Sequence, residues 1–180
     1  MENSNFKVLK RAEVSQKNQQ VFDRLTKSYG AVPNLYSTLA YSENALEAYI
    51  NLESTKLSLS DKQAEAVNLV VSEINGCIYC TSAHVVVAEK TGFTKEEIRR
   101  IRSGHADFDP QLDALVKLTH ALTLKRKVPH PELLNRFFEA GYTRGQLVDL
   151  ILLIGDRTIS NLLHAVTRVP VEFPLAEPLD

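Results

Sequence analysis

Residues 60–92 read SDKQAEAVNLVVSEINGCIYCTSAHVVVAEKTG. Ser60 and Gln63 form a capping-box pattern, which starts a helix at about Asp61. Ala64, Val67, Val70, Val71 and Ile74 then recur at the spacing of one helical face. Asn75-Gly76 interrupts that helix. A second helix is expected from about Cys77, carrying Ile78, Ala83, Val85, Val86, Val87 and Ala88 and stopping at Gly92. The β-branched run at 85–87 lies between a helix start and a glycine stop, where context overrides a weak propensity. The stretch therefore reads as two helices joined at Asn75-Gly76, and if that break turns the chain back the two run antiparallel.

The flanking sequence continues in helices. Ser15 caps a first helix with Val21, Phe22, Leu25 and Tyr29 on its apolar face, ending at Gly30. Pro33 restarts the chain through Leu35, Tyr36 and Leu39. Ser42 opens a stretch with Leu46, Tyr49, Ile50 and Leu52. Thr94 caps a short basic helix through Ile98 and Ile101. Asp109-Pro110 is a cap followed by proline in the first turn. It opens a helix from Leu112 to Leu124, closed by Lys125, Arg126 and Lys127, whose charge suits a helix C-terminus. Pro131 opens another, with Leu133, Leu134, Phe137 and Phe138, ending at Gly141. Thr143 caps the longest apolar segment, 147–166, which reads as core and also suits a subunit interface. No segment alternates strictly, so the fold class is all-α. One domain over 1–180 is expected, with its core motif at 60–92 and an extended, proline-rich tail at 170–180.

Composition narrows the function classes. A chain of 180 residues, 44% hydrophobic and 24% charged, has the balance of an ordinary globular protein. A net charge of -1 gives no support for nucleic acid or an acidic membrane as partner, since both need clustered positive charge. Two cysteines are too few for a secreted disulfide framework. Residues 1–5 are polar and lack a signal pattern. The longest apolar run, 150–154, falls far short of the ~20 residues of a membrane helix. A cytoplasmic, reducing compartment is the expectation, and there a C-x-x-C is more often catalytic or metal-binding than a static staple.

Both cysteines fall in the hairpin. Cys77 and Cys80, three apart in the first turn of a helix, bring two thiols to one face, close to disulfide range. A helix N-terminus stabilises the thiolate, which is the reactive species. His84, one turn further along, can take a thiol proton directly or through a water. Glu65 lies in the preceding helix; if the chain reverses at Asn75-Gly76 it sits beside that turn, where it can orient the imidazole or act as base itself. Tyr79 supplies either a hydroxyl to a proton chain or an aromatic wall. The same thiols, imidazole and carboxylate are also zinc ligands, although a closed zinc site draws on two short knuckles and here three of the four lie on one helix. Small apolar filling of a helix junction is the third reading.

The pattern Glu65-x11-Cys77-x2-Cys80-x3-His84 resembles the signature of the AhpD-like alkylhydroperoxidases, in the carboxymuconolactone decarboxylase superfamily. The likeness extends more loosely over 42–92, and Val169-Pro170-Val171-Glu172-Phe173-Pro174 resembles the peroxidase-related branch. It implies an all-α helical bundle in a homo-oligomer, often a trimer or hexamer. It implies that Cys80 attacks a small hydroperoxide and becomes the sulfenic acid. Cys77 then donates a proton and closes a disulfide, and Glu65 and His84 form the proton relay. An external dithiol or partner protein reduces the disulfide. No heme, flavin or metal cofactor is implied. Where the best-known relatives have a histidine between the cysteines, this chain has Tyr79. Decarboxylases of the superfamily typically lack the cysteine pair, which argues against decarboxylation. The rivals are a non-catalytic redox-sensing or metal-binding module using the same dithiol and a carboxymuconolactone decarboxylase-type lyase on the same fold.

Elsewhere the plain readings are preferred. His164, near Asn161 in the C-terminal helix, is read as a hydrogen-bonded core histidine. Lys95, Arg99, Arg100 and Arg102 are read as a solvated face.

Overall fold

The computed structural model describes residues 6–125 and 129–179. Residues 1–5, 126–128 and 180 lie outside the described residues, and with them Arg126 and Lys127 of the expected helix-closing cations. The fold is all-α, with no strand among the described residues. After a 3₁₀ turn at Arg11–Glu13 come α1 (Gln16–Tyr29), α2 (Asn34–Leu39), α3 (Ala45–Glu53), α4 (Asp61–Ile74) and α5 (Ile78–Lys90). Then follow α6 (Lys95–Arg102), α7 (Pro110–Lys125), α8 (Pro131–Glu139) and α9 (Arg144–Thr167).

Local chemistry sets these boundaries. Ser60 and Gln63 close a capping box on α4, as Thr94 and Glu97 do on α6 and Thr143 and Gln146 on α9. Asp109 accepts from the backbone N–H groups of Gln111 and Leu112 at the start of α7. The end of α4 has the pattern of a Schellman cap. Gly76 takes φ +64°, its N–H donates to the Glu73 carbonyl, and the Cys77 N–H donates to the Ser72 carbonyl, both at 3.0 Å. That cap fixes the direction in which α5 leaves, back along α4.

Helix α4 is central and packs against α5, α6, α7 and α9. Its Val67, Val70 and Val71 join Ile98, Ile101, Leu115, Leu118, Phe137 and Leu150 in the largest core cluster. Each side chain removed from water there stabilises the fold by about 1.5–3 kcal/mol. A second cluster joins α1 to α3 through Val21, Phe22, Leu25, Leu46 and Tyr49. A third and smaller one gathers Leu35, Cys77, Tyr79, Cys80 and Val169.

Two expectations are corrected. The basic residues of α6 are not all solvated. Arg102 is buried, bonded to Glu73 at 2.8 Å and to the Glu177 carbonyl at 2.9 Å, and Arg99 reaches the Pro178 carbonyl. The tail thus needs partners on α6, which no local pattern in 95–102 announces. The 147–166 segment is only partly core. Leu150 and Leu153 are buried, whereas Val148, Ile151, Ile159 and Leu162 are exposed. The tail itself is extended, as expected from its prolines, and lies over the start of α5, where the Ala176 N–H donates to Ser82 Oγ at 3.0 Å.

Candidate active site

The Schellman cap places Cys77 just outside α5, as its N-cap, and not within the first turn. The Cys77 sulfur accepts from the Cys80 N–H at 3.3 Å, the bond an N-cap side chain makes. Cys77 and Cys80 are joined as a disulfide, with Cα atoms 5.3 Å apart. Both residues are buried, yet their surroundings differ. Cys80 lines a cavity of about 970 Å³ and Cys77 does not, although both pack in one cluster with Leu35 and Val169. Val32, Leu57, Leu59, Val87 and Phe173 supply apolar wall to that cavity.

The antiparallel hairpin brings Glu65 to His84. Glu65 Oε2 lies 2.8 Å from His84 Nδ1, and Glu65 Oε1 accepts from Asn68 at 3.0 Å. On the other side of the ring, a guanidinium nitrogen of Arg157 lies 2.8 Å from His84 Nε2. Arginine has no acceptor, so Nε2 carries no proton and accepts. The ring proton is therefore on Nδ1 and is donated to Glu65. Arg157 also donates to Asp156 at 3.0 Å and Glu53 at 3.2 Å, and Tyr36 donates to Glu53 at 2.6 Å. A partly buried chain of polar and charged groups, with Arg157 and Asp156 at its buried centre, thus runs from α3 through α9 to α5 and α4.

Burial pushes the Glu65 carboxyl up, but His84, Asn68 and Arg157 together outweigh it and hold the group below the usual carboxylate range. The sign follows from linkage. A depressed acid stabilises the fold above its unfolded pKa, and that contribution is lost as pH falls through the folded value. Glu65→Gln is expected to flatten the fall of melting temperature between about pH 5 and pH 3 relative to the parent chain. Identical acid limbs would sink the assignment. Burial, then Glu53, raises the Tyr36 phenol, which keeps it protonated as a donor.

Tyr79 points elsewhere. Its hydroxyl donates to Glu172 at 2.6 Å and accepts from the Leu35 N–H at 3.2 Å. Burial and then Glu172 raise its pKa. Glu172 also accepts from the Asn34 N–H at 2.9 Å. Tyr79 therefore ties α5 to α2 and the tail, and its hydroxyl is bonded to Glu172 and Leu35 rather than to Glu65 or His84. Tyr79→Phe is expected to cost about 1–3 kcal/mol in urea unfolding, because Glu172 and the Leu35 N–H lose their partner. The rate of thiol oxidation should be unchanged. A large rate loss without a stability loss would return Tyr79 to the relay. His164 is a buried histidine behind Tyr79, with Nε2 at 3.2 Å from the Val169 carbonyl, and burial lowers its pKa.

The sequence reading missed Arg157, Asp156 and Glu53. A signal for the first two existed. Asp156, Arg157, Ser160, Asn161 and His164 recur at helical spacing inside an apolar helix, which marks a buried polar face. All five are buried. Among the described residues there is no group of three or more His, Cys, Asp and Glu side chains placed to hold a metal ion. No helix among them is long and apolar enough to cross a membrane.

Comparison with known proteins decides the family. Residues 42–123 match the carboxymuconolactone decarboxylase family. The uncharacterized protein YdfG of Bacillus subtilis (strain 168) is 34% identical over 103 residues, covering 55% of this chain and 69% of YdfG. This chain belongs to the carboxymuconolactone decarboxylase family. The matched segment spans the hairpin with both cysteines. Among solved structures, the alkylhydroperoxidase AhpD core of a peroxidase-related protein from Ralstonia eutropha JMP134 superposes with TM-score 0.78, at 18% identity, covering 89% of this chain and 88% of that one. The debrominase Bmp8 superposes with TM-score 0.77, at 18% identity, covering 96% and 94%. At such identity these likenesses speak to the family's helical fold alone.

Proposed function

We propose that this protein is a thiol-dependent peroxidase acting on organic hydroperoxides through Cys80 and Cys77. The observation that carries the reading is the asymmetry of the pair: Cys80 lines the cavity, and Cys77, which does not, is already bonded to it. In the reduced protein, the Cys80 thiolate attacks one oxygen of the O–O bond. That bond breaks, the alkoxide leaves and takes a proton as alcohol, and Cys80 becomes the sulfenic acid. The Cys77 thiol then displaces hydroxide as water and forms the S–S bond. An external dithiol returns both sulfurs to thiols and is itself oxidised. The Glu65–His84 pair supplies the proton path. The exposed apolar face of α9 supports the homo-oligomer that the family resemblance implies.

The test counts free thiols and mass on reduced protein before and after one equivalent of cumene hydroperoxide at neutral pH. Loss of both thiols and two hydrogens is the expected result, with repeated turnover once dithiothreitol is in excess. Thiols that survive excess peroxide sink the reading. One oxidation without turnover leaves a sensor. Because a debrominase shares the fold, 2,3,4-tribromopyrrole is a suitable control in the same assay.

A further inference from the structure

We propose that Arg157 is a positioning residue with two seats, and that its move between them arms His84. In the disulfide state it caps His84 Nε2. In the dithiol state it sits on Asp156 and leaves Nε2 free for the Cys80 proton. The second half rests on Cys80 being the reacting thiol, as proposed above; the first rests on geometry alone.

Both ring nitrogens of His84 are occupied, Nδ1 by Glu65 and Nε2 by Arg157, each at 2.8 Å. In that state the imidazole has no lone pair to offer a thiol. A disulfide has no proton to give, so the cap suits the oxidised protein. For His84 to act as base, Arg157 must leave Nε2. The place to go is built. Among the described residues, Asp156 Oδ1 and Arg157 Nε are buried side-chain atoms without a hydrogen-bond partner. Asp156 Oδ2 already holds the same guanidinium at 3.0 Å, and both side chains are over nine-tenths buried. A small turn of the fork pairs Nε and the terminal nitrogen with both carboxylate oxygens, the bidentate geometry that arginine favours. Satisfying two buried orphans offsets the lost bond to His84. The move also removes a cation from beside the imidazolium about to form, while Glu65 stays on Nδ1 to balance it.

The step is a proton transfer. The Cys80 S–H bond breaks, the proton bonds to His84 Nε2, and the electron pair remains on sulfur. His84 lies four residues along α5 from Cys80, and both line the same cavity.

The test uses the full chain labelled with 15N-histidine, recorded oxidised and after reduction with dithiothreitol, beside Asp156→Asn and Arg157→Lys. The oxidised parent should show His84 as the Nδ1–H tautomer with Nε2 hydrogen-bonded, and reduction should shift Nε2. Asp156→Asn removes half of the second seat. Its spectrum should barely change on reduction, and Cys80 should react with iodoacetamide roughly 10²-fold more slowly than in the parent. Arg157→Lys keeps the charge without the fork. Its Nε2 should be uncapped in both states and its alkylation fast. An Nε2–H tautomer in the oxidised parent, or identical parent spectra in the two redox states, overturns the proposal. If Asp156→Asn does not fold, the parent spectra and Arg157→Lys decide. Iodoacetamide is no peroxide, so these rates stand apart from peroxidase activity. If the parent spectra behave as stated yet peroxide leaves the thiols intact, the peroxidase reading fails and the Arg157 inference stands.

Discussion

Cys80→Ser is expected to lower hydroperoxide consumption by roughly 10³-fold or more, the scale of losing a nucleophile that acts as part of a unit. The reason lies in where α5 begins. Cys80 occupies the first turn, where backbone N–H groups without an intrahelical carbonyl partner carry partial positive charge and favour a thiolate. A serine hydroxyl at the same point has neither the acidity nor the nucleophilicity. Cys77→Ser should differ in kind. The first oxidation would survive, because Cys80 still faces the cavity, but the sulfenic acid would have no thiol to close on. It should accumulate, bind a sulfenic-acid trap such as dimedone in one-to-one ratio, and fail to turn over with dithiothreitol. The pair of variants separates the readings. If both consume peroxide like the parent, the dithiol is dispensable and the lyase reading gains. If the roles of the two cysteines are exchanged, the cavity assignment is wrong even though the chemistry is right.

Much of this arrangement was legible from residues 60–92 because its signals are local. A capping box, a helical period and an Asn-Gly break act within one or two turns, so sequence spacing translates directly into space. Glu65 meets His84 for that reason: both are nearly equidistant from the turn at Asn75-Gly76. The rest depends on distant partners. The place of Tyr79 between the cysteines suggests a proton carrier, yet its hydroxyl is held by Glu172, 93 positions away in sequence. Arg102 looked like one of several surface cations until the tail supplied a carbonyl for it. Arg157 has no local cue beyond the polar period of α9, and only the packing of α9 on α3 and α5 gives it Glu53 and His84. Spacing alone puts Cys77 inside the first turn, whereas the Schellman cap of α4 and the N-cap of α5 meet at that residue and hold it one step outside.

Arg157→Leu is expected to destabilise the chain by about 3–5 kcal/mol in urea unfolding at neutral pH, the scale of leaving a buried charge without its partner. Leucine supplies volume but no donor, so Asp156, with a side chain only 5% exposed, loses the cation it was bonded to, and Glu53 loses one of its donors. The double variant Arg157→Leu/Asp156→Leu should recover a substantial part of that loss. Replacing both members of a buried ion pair by apolar groups is often close to neutral, whereas removing one strands the other. The interaction energy from the cycle of single and double variants is the quantity to measure, because the two side chains touch and their effects will not add. A coupling near zero would mean that Asp156 keeps its charge solvated without Arg157, and the hydrogen-bonded chain from Tyr36 to Glu65 would not be a unit. Exposed pairs such as Arg136 with Glu132 offer the contrast, since water already screens them and their removal should cost little. The double variant also divides stability from chemistry. It restores packing yet leaves His84 Nε2 without a donor, so a well-folded double variant tests whether the guanidinium is needed for the fold, for the histidine, or for both.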